Sequence, residues 1–157
     1  MFKLSRGRGR GGDLDPLESA WALTEGGTPD DPIFVRRNVG AEHLADSGAY
    51  PAYVLVQVPL HACDDRGMPE ASEFPYLEAV EDALVAELTA GGAAVLVLVI
   101  TRDRHRRFVV YTRDAAATSA SADAVSRRFE QSHPGREFGV GRGDDPQWTV
   151  YRGFARA

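Results

Sequence analysis

The chain has one cysteine, one lysine and no apolar run long enough to cross a bilayer. Cys63 alone cannot close an internal disulfide, which excludes the disulfide-stapled secreted scaffolds and fits a reducing cytoplasm. The longest apolar run, residues 93–100, falls far short of the ~20 residues a membrane helix needs. Residues 1–12 are basic, but no apolar segment follows them, so no secretory signal is expected. Lys3 is the sole lysine beside abundant arginine, which reads as GC-rich coding bias and not as chemistry. No phosphate-binding glycine loop, no G-x-S-x-G elbow and no dinucleotide fingerprint is present. The formal net charge of −5 argues against a dedicated nucleic-acid binder, whose binding face is usually basic. A soluble, cytoplasmic protein that does not engage a membrane is therefore expected.

A chain of 157 residues suits one domain. At that size it buries roughly 68–70% of its unfolded surface and needs no staple. Residues 1–13 hold Arg6-Gly7-Arg8-Gly9-Arg10-Gly11-Gly12, a composition that cannot offset ordering entropy by burial, so a flexible tail is expected there and one domain over residues 14–157. Short strands are predicted at 21–24 and 33–38 around the Gly26-Gly27-Thr28-Pro29-Asp30-Asp31 turn, then a loop over 40–49. A β-branched strand follows at 53–60. Next comes a helix over 70–90, with Ser72 and Glu73 as its cap and Leu77, Val80, Leu84 and Leu88 on one stripe. A hairpin is predicted over 93–113 with its tip at Asp103-Arg104-His105-Arg106, a second helix at 121–132, and last strands at 137–141 and 147–154. The fold class is α+β. The order β-α-β-β-α-β predicts a ferredoxin-like split β-α-β core, two helices on one face of an antiparallel sheet, with an added N-terminal β-hairpin.

In that arrangement the apolar strand at 93–101 would be an edge, which invites aggregation. The N-terminal hairpin or a partner chain is expected beside it. Val95, Val97 and Val99 are expected to share its second face, for which a homodimer or protein partner through the sheet face is the natural cover.

Candidate functional residues are few. At ~100° per residue, Glu81 lies about 40° from Leu77 and about 20° from Leu88, inside the apolar stripe. A carboxylate there needs a partner, such as an arginine or tyrosine of a neighbouring strand, or else a ligand. Arg107 begins the return strand and is expected to reach it, so Glu81, Arg107 and Tyr111 form a candidate small-ligand or catalytic centre. Arg104 and Arg106, at the hairpin tip, could seat a phosphate or an acidic surface. With the Arg/Gly tail they make an RNA-binding alternative. Trp148, Tyr151 and Phe154 are read as core packing; on a strand, Trp148 and Phe154 would share a face and Tyr151 would point away toward Tyr53 and Tyr111, a candidate base-stacking platform. His61, Cys63, Asp64 and Asp65 lack a second ligand pair, and no histidine is tied to Cys63, so no metal, cofactor or catalytic residue is expected.

Three motifs together resemble a family. Gly67-x-Pro69 is followed by Glu73, Leu77, Glu81-Asp82-x-Leu84 and Leu88; then come Arg107-Phe108-x-x-Tyr111 and Asp145-x-x-Trp148-x-x-Tyr151-x-x-Phe154. Their order and spacing resemble the bacterial domain of unknown function number 695 from about Trp21 to Phe154. The chain departs from that family in having no glycine at the hairpin tip and in a thin N-terminal aromatic region. The resemblance implies no activity. In some proteins the family's domain is joined to one like the B-type regulator of ribonuclease E, an inhibitor protein, a link by association only. The expectation is a non-enzymatic binding or regulatory module acting through protein contact.

Overall fold

The structure, a computed structural model, describes residues 20–155. The Arg/Gly stretch expected as a tail lies outside those residues. In chain order the elements are β1 (Trp21–Gly27), β2 (Pro32–Asn38), β3 (Ala52–Pro59), α1 (Phe74–Leu88), β4 (Ala94–Arg102), β5 (His105–Thr112), α2 (Ala115–Ser132), β6 (Gly139–Asp144) and α3 (Thr149–Gly153), with a 3-10 turn at Val39–Leu44. The six strands form one antiparallel sheet in the order β1-β2-β4-β5-β3-β6.

Alternation builds the central strands. On β3, Ala52, Val54, Val56 and Val58 are buried, and Tyr53, Leu55 and Gln57 point the other way. The valines meet Leu77, Val80, Leu84 and Leu88 of α1 and Ala122 and Val125 of α2, so both long helices pack on the same face. The β4–β5 hairpin closes through Asp103 and Arg104, both left-handed at φ 49° and 60°, the twist-matched two-residue turn. As expected of it, the N-terminal hairpin lies beside the apolar strand: β2 pairs with β4, with Val35 opposite Ile100 and Arg36 opposite Val99. β4 is therefore an interior strand.

The second face of β4 is covered by the chain itself. Ala41, Ala45 and Tyr50, with Trp148 and Tyr151 from the C-terminal end, pack on Val95, Val97, Leu98, Ile100, Val109 and Tyr111. The expected grouping of Val95, Val97 and Val99 needs correction. A β-bulge between Leu96 and Leu98 inserts one residue and moves the alternation on by one. Val99 consequently faces the helices with Leu96, and Val97 faces the opposite layer.

The stretch 147–154, expected as a strand, instead contains α3 at Thr149–Gly153. The Asp145 carboxylate accepts the backbone N–H groups of Thr149 at 2.9 Å and Val150 at 3.0 Å, which seeds a helical turn. Trp148 and Tyr151 are thereby buried together rather than on opposite faces. α2 begins six residues earlier than its apolar periodicity suggests, because Asp114 caps it by accepting Ala117 N–H. α1 starts at Phe74 with Pro75 in its first turn and no side-chain cap. Glu73 is turned away instead and accepts both Arg136 Nη groups, at 2.8 and 2.7 Å.

Candidate binding cleft

Arg36 comes to the helix-bearing face because β2 alternates and its register sets it between Leu23 of β1 and Val99 of β4. There its Nη2 donates to both oxygens of Glu81, at 2.5 and 2.7 Å. Its guanidinium also lies over the Trp21 ring, 5.1 Å from the centroid. Glu81 therefore has the strand arginine that its place in the apolar stripe demands, but the partner comes from β2. The expected Arg107 instead donates Nε to Gln57 Oε1 at 2.8 Å. Gln57 and Tyr111 belong to the sheet face opposite α1. The sheet thus separates Glu81 from Arg107 and Tyr111, and the three do not form one centre.

Beyond the first turn of α1 the helices leave part of the sheet uncovered. A cleft of about 360 Å³ opens there, lined by Leu23, Phe34, Arg36, Val99, Thr101 and Arg106 from the sheet, Phe74 from α1, and Asp64, Arg66, Met68 and Pro69 from one loop. That loop is built by local chemistry. Asp64 Oδ1 accepts the N–H groups of Arg66 and Met68, both at 2.9 Å, and holds the turn. Gly67 has φ +77°, and a Cβ there would meet Arg104 N at 3.0 Å. Its carbonyl accepts Arg104 N–H at 3.0 Å, and Leu60 N–H donates to Arg104 O at 2.8 Å. The hairpin tip and the loop are thus pinned together, which sets Met68 and Pro69 in the cleft wall.

Arg106 is the unusual group in this lining. Its Nε donates to Thr101 Oγ1 at 3.0 Å. Among the described residues no carboxylate forms a salt bridge with it. Burial pushes it below the ordinary guanidinium range, Arg36 adds to that by repulsion, and Glu81 opposes it. A guanidinium still keeps its proton. The other tip residues face elsewhere: Arg102 pairs with Asp31, and His105 Nδ1 lies 2.7 Å from Asp103 O.

Tyr111 is sealed. Its hydroxyl donates to Asp145 at 2.6 Å, the Trp148 ring stacks on it with centroids 4.1 Å apart, and burial, helped by the bond to Asp145, raises its pKa well above the usual phenol value. Trp148 Nε1 donates to Tyr50 O at 2.9 Å, and Tyr151 OH to Asn38 O at 2.8 Å. These aromatics are core, as expected, and Tyr111 and Tyr151 are not a stacking platform. Cys63 is half-buried in a β-bridge with Pro69, its thiol pushed up mainly by burial. Among the described residues no three His, Cys, Asp or Glu side chains could hold one metal ion.

Of the candidate residues, only Glu81 and Arg106 reach this side of the sheet near one another. Leu23, Phe34, Arg36, Met68 and Phe74 were missed. The Phe34-x-Arg36 alternation on β2 was the available signal, since it places an aromatic and a cation on one face.

A family model described as a family of unknown function, DUF695, matches residues 19–155. No curated protein and no solved structure matches the chain.

Proposed function

Because the chain belongs to DUF695, a family of unknown function that brings no activity with it, we propose from its geometry that it is a non-enzymatic binding module, and that the cleft between α1 and β1 is where it takes hold of a protein partner. One observation carries the reading. Among the described residues the exposed large apolar side chains are Leu23 at 61%, Phe74 at 45% and Val85 at 39%, and the first two flank this cleft. Scattered exposed apolar residues need no explanation, but two converging on one concave, mostly apolar site point to recognition. The edge position of β1 adds to it. Val39 N–H donates to Ala20 O, so pairing with β2 alternates from there and leaves the N–H and C=O of Trp21, Leu23 and Glu25 toward the free edge. An extended partner segment could add to that edge with a side chain in the cleft.

The strand order β4-β5-β3-β6, with α1 and α2 on one face, supports reading this part as a ferredoxin-like split β-α-β core extended by the β1–β2 hairpin. The single thiol suits a reducing cytoplasm, where this reading places the protein.

The test compares capture by the wild-type chain with capture by Leu23→Asp and Phe74→Asp, both exposed positions whose substitution leaves the core alone. A partner retained by the wild type and lost by both variants, with unchanged circular dichroism, is the expected result. Equal capture by all three forms removes the cleft from the function.

A further inference from the structure

The cleft carries more chemistry than an apolar recess requires. Its walls are Leu23, Phe34, Phe74, Met68 and Val99, yet its floor holds two guanidiniums. Arg36 is neutralised by Glu81, and Arg66 at the rim by Asp64 at 3.1 Å. Three arginines against these two carboxylates leave one positive charge, and by its contacts it belongs to Arg106. Thr101 occupies the Arg106 Nε, while the terminal Nη1 and Nη2 have no hydrogen-bond acceptor among the described residues. A half-buried cation is costly without a counter-charge. The two terminal amino groups of a guanidinium match the two oxygens of a carboxylate. A phosphate dianion would be left half-neutralised by a single free cation.

Resting on the reading of this cleft as the recognition site, we propose that what it recognises is a carboxylate attached to an apolar body, the acid on Arg106 and the body against Phe34, Phe74 and Met68. A volume of about 360 Å³ sits at the small end of the roughly 300–1,000 Å³ typical of ligand sites, so a single apolar group with its acid fills it. Two sources share this chemistry: a free small carboxylic acid, and the terminal carboxylate of a protein chain that ends in an apolar residue.

The experiment titrates the isotope-labelled chain by NMR with phenylpropionate and with phenylpropanol, then with a short peptide ending in leucine as free acid and as amide. The acid is expected to shift resonances of Leu23, Phe34, Met68 and Phe74 and to bind about 10- to 100-fold more tightly than the alcohol, the range a hydrogen bond to a charged group provides. Arg106→Gln should bring the acid down to the alcohol's affinity. Tighter binding of the free-acid peptide than of phenylpropionate, lost on amidation, assigns the source to a chain terminus; binding of phenylpropionate alone assigns it to a small acid. Equal affinities for acid and alcohol overturn the carboxylate inference while leaving the cleft a binding site. No shift in the cleft with any probe overturns it too, and the capture comparison with Leu23→Asp and Phe74→Asp then decides the broader reading separately. The acid-to-alcohol comparison uses the unaltered chain, so it stands whether or not the Arg106 variant folds.

Discussion

Glu73 shows how much one buried carboxylate can tie together. At 3% exposure it accepts two hydrogen bonds from Arg136 and one from Ala62 N–H, joining the start of α1 to the segment after β3 and to the one before β6. Chiefly through Arg136, its pKa is held down to about 2. A depressed carboxylate contributes stability that is present above its unfolded value, 4.5, and lost as pH falls toward the folded value. Between those limits about 3 kcal/mol should disappear, since one pKa unit is worth about 1.4 kcal/mol. Urea midpoints measured from neutral pH down to pH ~3 should fall steeply in the wild type and more gently in Glu73→Gln, which is less stable throughout because it strands Arg136. Parallel curves would refute this. Glu81 was legible because a helical period places it among leucines. Its partner was not, since the choice of Arg36 depends on the pairing of β2 with β4, a contact between distant segments. Arg106 and Arg107 illustrate the same limit: adjacent on β5, they face opposite sides of the sheet, and only the register of β5 against its neighbours says which of them faces the helices.

Among the elements, the β4–β5 hairpin invites a direct test. Arg104 holds φ 60° with a full side chain, a conformation that costs an L-residue about 1–2 kcal/mol and glycine almost nothing. Arg104→Gly keeps the backbone bonds to Gly67 and Leu60. It is expected to raise the melting temperature by about 2–4 °C for each kcal/mol gained in a chain of this size. A lower melting temperature would mean that the arginine side chain contributes more than its backbone costs. The strands and the long helices were readable from periodicity of two and of 3.6. The start of α2 was not, because the alanines, serines and threonines after Asp114 show no apolar stripe. The C-terminal element departs from the expected strand for a different reason. Trp148, Tyr151 and Phe154 recur every third residue, closer to a helical period than to a strand's, and the Asp145 carboxylate that starts the turn acts through the backbone N–H groups of Thr149 and Val150, which no side-chain pattern marks. The bulge in β4 left no trace in a run of uniformly apolar residues, where either face accepts any of them.

For the molecule as a whole, both faces of the central strands are covered from within, by the two long helices on one side as far as the cleft and by the Ala41–Tyr50 region and α3 on the other. The apolar area that would have called for a second chain is buried, and the open backbone lies at the β1 and β6 edges. Sedimentation across the micromolar range is expected to show a monomer. A stable dimer would direct attention to those edges, and to β1 before β6, whose glycines weaken strand-to-strand addition. The coverage has an optical consequence. The chain's two indoles sit in different places: Trp148 is stacked on Tyr111 in the closed layer, and Trp21 lies beneath the Arg36 guanidinium that forms part of the cleft floor. An occupant that draws Arg36 or its neighbour changes the field on the second indole and leaves the first untouched. With Trp148 replaced by phenylalanine, the emission of Trp21 becomes a label-free reporter of whatever enters the cleft.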